Sequence, residues 1–511
     1  MRMHGLFWVA FFVMVSAPFS FVAWGEESEE PIDDIVIKAK SLKIQDEVIY
    51  TPQSITIEHP ASDVYLGETL GKLPGVLVRN TSGFGSLTTV ITSQALGSGG
   101  TRISIDDIPM VDPTGLGINL SLIPSTLIGG IEQRSAFYPS VDAIAETLPS
   151  PSGWINLKTL GSAKNGEKKW ASSLLLGTGN TVQGTASYRG GSQNQDWITG
   201  ISGFNTQGNF RFINPLNGQS ENRANNDSAG VGALGKIQWH FKDSGSIEIL
   251  DLFSHAERTN PGDITLPSRD HEKDTFNLLG VRYSDPHAIS SRDGLFAKAA
   301  GSLSRTATRV PDVYGGSSDS RTFGQYTQAG YLRRDEYTSF TLALDNLHDF
   351  LRNDLGAFNR NVFGITATFA VDVGKFRVVP LARQEASSTF PSAGDGAVTV
   401  MYFPDTDNDL SASFGLEHVY PSITASTGYA TSGSTVLPNP SLNVQRDNLA
   451  SLSYNRRNPH YTFYTTGFYD LIRNRTTFTR IGPNLSQFVN TSEVSVWGFT
   501  LDGQVFPIEP L

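Results

Sequence analysis

ETLGKLPGVLVRNTSGFGSLTTVITSQALGSGGTRISIDDIP, residues Glu68 to Pro109, is the stretch on which the fold turns. Leu66, Leu70 and Leu73 recur at helical spacing behind Asp63, a residue type suited to an N-cap, and Pro74-Gly75 then stops the helix. The spacing predicts a one-faced helix of about two to three turns. Short β-prone runs follow at Val76 to Val78, Leu87 to Ile91 and Thr101 to Ile105, each closed by Gly, Asn, Asp or Pro. A small α+β module is expected here.

Further on come INLSLIPSTLIGGIEQ at Ile118 to Gln133 and GWINLKT at Gly153 to Thr159. The order of LPGV after an amphipathic helix, then IDDIP, then these two segments, resembles the plug domain of TonB-dependent outer-membrane receptors. Two local departures are Ser93-Gln94-Ala95, where the family has Ile-Arg-Gly, and Asp106-Asp107-Ile108-Pro109, where it has Asp-Gly-Val-Pro. The resemblance implies a mainly β fold: a transmembrane antiparallel β-barrel of twenty-two strands in the family, with the N-terminal α+β plug inside its lumen. The implied location is the outer membrane of a Gram-negative bacterium.

Composition agrees with that class. Of 511 residues 39% are hydrophobic, with 50 glycines, fewer aliphatics than a soluble multidomain enzyme carries. The absence of cysteine excludes disulfides and thiolate metal sites. A net charge of -11 supplies no basic face for nucleic acid.

Residues 1–25 read as a secretory signal peptide: Arg2, an apolar run from Leu6 to Trp24, then Ala23-Trp24-Gly25 before Glu26. Residues 26–44 form an acidic periplasmic linker. Within it Asp33 to Lys40 is a short β-prone run between polar flanks, a strand awaiting a partner. Beside the plug match, Asp34, Ile35, Val36, Ile37, Lys38 and Ala39 resemble the TonB box, which implies TonB and its inner-membrane energising complex as partners. Main-chain pairing would supply the affinity. The plug is assigned to 45–162 and the barrel to 163–511.

From Lys169 the texture becomes short alternating runs. Val182, Gly184, Ala186 and Tyr188 oppose Gln183, Thr185, Ser187 and Arg189; Ile237, Trp239 and Phe241 oppose Lys236, Gln238 and His240; Phe363, Ile365, Ala367 and Phe369 oppose Thr366 and Thr368. Period two with aromatics on the apolar face fits a barrel with lipid outside and water inside. Long polar segments are expected at the outer end: Gln207 to Gly230, Ala256 to Lys273, Thr306 to Ser320, Ser387 to Asp409 and Thr431 to Arg446. Tight turns such as Arg334-Asp335 and Val373-Gly374 are expected at the other end. The pattern yields about sixteen strands. Because a lumen of that size leaves little room for a plug, and an unpaired edge in lipid is costly, the barrel is expected to be C-terminally incomplete.

No phosphate loop, nucleophile elbow, dinucleotide fingerprint or metalloprotease helix is present, so no enzyme, cofactor or metal site is assigned. Asp405 to Asp409 begins like a calcium loop but has Leu410 and Leu416 where glycine and glutamate belong, and His255 and His271 merely share a loop. Binding candidates are Asn80, Ser82, Phe84, Asp112, Thr114 and Asn119 at positions matching outward plug loops. In the external loops Phe210, Arg211, Phe212, Arg223, Arg258, Arg309, Tyr314 and Arg321 combine cations with aromatics, as an anionic aromatic chelate would need. The resemblance implies active uptake of a scarce small-molecule solute by a monomer in outer-membrane lipid. An iron-siderophore complex comes first, then cobalamin, other metal chelates and glycans. A passive porin or adhesin, or a fragment that transports nothing, are the rivals.

Overall fold

In a computed structural model, the described residues are 53–56, 66–71, 73, 76–80, 88–93, 101–112, 114, 120, 123, 127–134, 153–161 and 168–505, the last interrupted at 224, 242–244, 263–266, 310–316, 432–433, 459 and 483–484. The proposed signal peptide, linker and TonB box lie outside the described residues.

The plug is built from β1 (Gln53–Thr56), α1 (Leu66–Leu70), β2 (Val76–Asn80), β3 (Thr88–Ser93), β4 (Arg102–Ile105), β5 (Ile108–Pro109), β6 (Ile128–Arg134) and β7 (Trp154–Thr159). Leu66, Leu70 and Leu73 are buried on one face, as their spacing requires, but α1 has only five residues, shorter than expected. Strands β2 and β3 pair as a hairpin. The other five form one sheet in the order β1-β6-β7-β4-β5, with β4 and β7 parallel. Both faces of this sheet are enclosed, so β7 reads Trp-Ile-Asn-Leu, buried at every one of those positions, rather than alternating.

The barrel wall comprises β8 (Lys169–Gly177), β9 (Thr181–Gly191), β10 (Gln195–Thr206), then, after a small external hairpin of β11 (Arg211–Ile213) and β12 (Ser220–Asn222), β13 (Ser228–His240), β14 (Ser246–Gly262), β15 (Pro267–Ser290), β16 (Asp293–Arg309), β17 (Ser317–Arg334), β18 (Thr338–Asn353), β19 (Gly356–Val373), β20 (Phe376–Ser387), β21 (Ala393–Tyr402) and β22 (Asn408–Val419). The chain then makes α2 (Ile423–Thr427) and the short hairpin β23 (Tyr429–Thr431) and β24 (Ser434–Leu437) before finishing the wall with β25 (Gln445–Asn458), β26 (Tyr461–Gly482) and β27 (Leu485–Val505). Strand β22 pairs directly with β25, so α2, β23 and β24 belong to one long connection and, among the described residues, sixteen strands make the wall.

The sheet is a closed barrel. Neighbouring wall strands from β8 round to β27 are joined by antiparallel registers, for example Leu303 opposite Phe323 and Phe323 opposite Phe350. Where β27 meets β8 no such register is found among the described residues. Trp170, Leu174 and Leu176 on β8 and Trp497 and Phe499 on β27 are 71–77% exposed, against 41–49% for Phe363, Ile365 and Phe369. That joint is the least covered part of the wall.

Alternation gives each strand its two faces. Thr366 and Thr368 are buried toward the lumen while Phe363, Ile365 and Phe369 stand outside, a band suited to hydrocarbon. The lumen accommodates the plug where the wall lacks side chains. A Cβ on Gly280 would lie 2.4 Å from Ile108 Cγ2, and one on Gly324 would lie 2.4 Å from Val111 Cγ1, so these glycines are sockets for plug residues.

Two connections differ from expectation. Residues 387–409 were expected as one outer loop, yet they contain β21, whose Ala-Gly-Asp-Gly start dilutes the alternation. Asp405 therefore lies in a turn at the short-loop end, where its Oδ1 accepts hydrogen bonds from the backbone of Asp407 and Asn408, each 2.9 Å away. Most of 256–273 is strand rather than loop, because its charges pair across the ladder, as in Arg258 with Glu272 and Lys273 with Glu257.

Candidate functional site

The site that joins plug to wall is the turn Asp106-Asp107 between β4 and β5. Both residues have positive φ, 49° and 65°, as a two-residue hairpin of this twist demands, and aspartate tolerates that conformation better than most residues. Two carboxylates are thereby aimed at a buried surface.

Each is fully partnered. Asp106 Oδ1 accepts from the Thr159 backbone at 3.0 Å and its Oδ2 from Thr159 Oγ1 at 2.6 Å, both on β7. Asn156 Nδ2 donates to Asp107 Oδ1 at 2.7 Å, while Asn156 Oδ1 accepts from the Asp107 backbone at 3.0 Å and from Ser104 Oγ at 2.9 Å. The plug thus orients its own turn before the wall touches it.

The wall supplies cations. Lys236 Nζ on β13 lies 2.8 Å from Asp106 Oδ2, Arg282 Nη1 on β15 lies 2.9 Å from Asp107 Oδ2, and Lys298 Nζ on β16 donates to the Asp107 carbonyl at 3.3 Å. Glu248 on β14 balances them, 3.2 Å from Arg282 Nη2. From the plug side Lys158 reaches Asp107 at 3.0 Å and Glu132 at 3.6 Å. Burial disfavours the Lys158 ammonium, but Asp107, Glu132 and Asp106 outweigh it and hold its pKa above the ordinary lysine value. Four acids and four bases share this cluster, which makes a charge-neutral clamp on one side of the plug.

Sequence reading did not nominate these residues as a site. The signal was a pair of aspartates in a turn where the resembling family has Asp-Gly: two adjacent carboxylates with no neighbouring base in sequence require cations from elsewhere in the fold.

The candidate binding residues divide. Asp112 and Thr114 are brought together: Asp112 Oδ1 accepts from the Thr114 backbone at 2.9 Å and from its hydroxyl at 2.5 Å. Above them the connection 420–444 folds inward. Ser422 caps α2, Ile423, Thr424 and Ala425 are buried, and Thr424 Oγ1 donates to the Thr114 carbonyl. The strap is held to the wall by Arg360, which donates to the Pro421 carbonyl at 2.5 Å and pairs with Asp349. Ser82, Phe84, Asn119 and Tyr314, with the side chain of Asn80, lie outside the described residues.

Phe210 and Phe212 pack with ring centroids 6.2 Å apart beside Arg211 and Arg223 on the β11–β12 hairpin. Arg258 points into the lumen and is held by Glu272 and Asp274. Arg309 and Arg321 stand on the outer face of β16 and β17, away from the lumen: Ser302 and Gly324 meet the plug, so residues an odd number of positions away on the same strand face out.

No family model and no curated protein matches the chain. Its fold is similar to that of solved receptors. The FrpB iron transporter of Neisseria meningitidis superposes with TM-score 0.71 at 12% identity over 89% of this chain and 78% of that one. A Serratia marcescens hemophore receptor, HasR, in complex with its hemophore HasA and heme, gives 0.69 at 14% identity over 89% and 79%. The ferric enterobactin receptor of Pseudomonas aeruginosa, as a mutant, gives 0.67 at 12% identity over 87% and 76%. At such identities the likeness is one of fold, the plugged barrel expected from the motifs.

Proposed function

We propose that this chain, folded as a plugged barrel, is an energy-coupled outer-membrane receptor that binds a scarce solute outside and admits it when work is done on the plug. The observation that carries the reading is the clamp at Asp106 and Asp107, which pins the plug inside the wall by buried ion pairs to β13 and β15 and a hydrogen bond from β16. Displacing a plug held this way means breaking buried ion pairs, which favours an energised partner over passive diffusion. The segment suited to receive that partner is Asp34 to Ala39, by the pairing of main chain to main chain.

An iron-siderophore complex is the leading substrate, since the structures similar in fold include a ferric enterobactin receptor and an iron transporter, and heme is next. The Phe210–Phe212 pair, with Arg211 beside it on the β11–β12 hairpin, offers the mixture of aromatic and cationic groups that an anionic chelate requires. Deleting residues 33–40 tests the coupling. Uptake of labelled ferric chelates should fall to background while the protein still reaches the outer membrane and still binds them. Uptake that persists in the deletion would remove the energised reading in favour of a passive porin.

A further inference from the structure

The strap 420–444 stands on two acids. Strand β22 ends at Val419 and β25 begins at Gln445, and two rungs in from those ends the register sets Glu417 directly opposite Asp447. On the other side of Glu417, the pairing of Gly396 with Leu416 brings Asp395 of β21 alongside. Asp470 on β26 lies opposite Leu449, one inward step from Asp447 toward the short turns. Four carboxylates therefore stand together on four adjacent strands near the outer end of the lumen. Asp470 is 0% exposed, Glu417 and Asp447 1% and Asp395 7%, while the outward residues Phe414, Leu452 and Tyr469 of β22, β25 and β26 are 47–59% exposed.

Among the described residues no lysine or arginine makes an ion pair with any of the four. The neighbouring guanidinium groups are taken, Arg383 by Asp345 and Glu385, each at 2.7 Å, and Arg360 by Asp349. Arg102 on β4 and Arg475 on β26 act on the row only from beyond ion-pair distance, and Glu385 adds to its negative charge. Asp395 Oδ1 accepts from the His418 backbone at 2.8 Å and lies 2.9 Å from His418 Nδ1. Arg446 Nε donates to His418 Nε2 at 3.2 Å, which leaves Nδ1–H to donate to Asp395. Both oxygens of Asp447 accept from Gln445 Nε2 at 3.0 Å. Asp395 Oδ2, Glu417 Oε2 and both oxygens of Asp470 are buried with no partner at all.

Like charges directly opposite on a ladder repel, and a buried carboxylate without a partner favours its protonated, neutral form. We propose that the strap is a proton-operated latch: the acids at its feet hold protons while it is seated, and their ionisation parts β22 from β25 and lifts α2 off the plug. Little has to separate. Beyond Glu417 the only rungs are His418 opposite Arg446 and Val419 opposite Gln445, and the plug contact to be broken is that of Thr424 Oγ1 with the Thr114 carbonyl. A seated strap binds protons that a lifted one releases, so it is favoured in acid and lost as pH rises. The device controls access from outside and depends on neither the solute nor the energised partner.

The test uses the full chain in outer membranes, exploiting its lack of cysteine. Ala425→Cys reports the buried face of α2, and Ser441→Cys, at an exposed position of the strap, corrects for thiol ionisation. The ratio of maleimide labelling rates, Ala425→Cys over Ser441→Cys, should rise at least about fivefold between about pH 5 and about pH 8. Glu417→Gln with Asp447→Asn should hold the ratio at its low, seated level throughout, whereas His418→Gln should keep the rise. A ratio that does not change with pH overturns the latch, as does a rise that survives in the Glu417→Gln/Asp447→Asn protein or vanishes in His418→Gln. If the double variant misfolds, as judged by loss of heat-modifiable mobility, Glu417→Gln and Asp447→Asn are read singly by the same criterion.

Discussion

Asp107→Asn is the substitution that bears most directly on how the plug is held. Asparagine preserves shape and can keep the contact with Asn156, but it removes the charge that faces Lys158 at 3.0 Å and Arg282 at 2.9 Å. Breaking a buried pair from one side costs about 3–5 kcal/mol because the remaining charge is left uncompensated. Here Arg282 keeps Glu248, and Lys158, a third exposed, keeps Glu132, so the expected loss is nearer 2–3 kcal/mol. Urea weakens small folded units by about 1–3 kcal/mol per molar, so the plug should leave its seat at a urea concentration lower by roughly 1–2 M. The assay is conductance across a planar bilayer as urea is raised, which reads plug release while the wall persists. Adding Arg282→Met should deepen the loss rather than recover it, since it takes from buried Glu248 the nearer of its two cations. An unshifted midpoint for Asp107→Asn would refute the idea that ion pairs hold the plug.

Three further outcomes are expected. Gly324→Ala should lower the same midpoint by the equivalent of about 1–3 kcal/mol of overpacking, and Val111→Ala in the same chain should recover only part of it, because it removes the Cγ1 that the new Cβ meets at 2.4 Å but leaves Val111 Cβ and Ser302 Oγ at 2.9 Å. The Lys158 contribution, raised in pKa by its acids, should be intact at any pH below the ordinary lysine value of about 10.4 and vanish as pH climbs through the higher folded value. Urea midpoints of wild type and Lys158→Met measured from pH 8 upward should therefore converge only in strong alkali. Ile365→Arg, in the middle of the outward apolar band, should destabilise the wall in lipid by about 2–4 kcal/mol, read from refolding yield into vesicles.

Much of the architecture was legible because it rests on periodicity. Thr366 inside and Phe363 outside follow from a two-residue repeat that one face of water and one of lipid enforce. Leu66, Leu70 and Leu73 are buried for the same kind of reason. Strand β21 escaped because glycines and Asp395 blur its repeat, and its reading as loop displaced Asp405 to the wrong end of the barrel. The clamp escaped for a different reason: Lys236, Arg282 and Lys298 are unremarkable alternating polar residues until the registers bring them over one turn more than a hundred residues earlier. Arg309 and Arg321 were grouped with binding loops by residue type alone. Only strand parity shows which side of the wall they occupy.

The seating of the plug within the wall can be measured with two cysteines in a chain that has none of its own. Cβ atoms at 108 and 280 would lie 3.3 Å apart, near the roughly 3.5–4.5 Å that a disulfide spans. In outer membranes from cells carrying Ile108→Cys and Gly280→Cys, a bridge should form and show as a reductant-sensitive shift in mobility with both thiols shielded from maleimide. Two free, labelled thiols in the membrane-inserted protein would contradict the account.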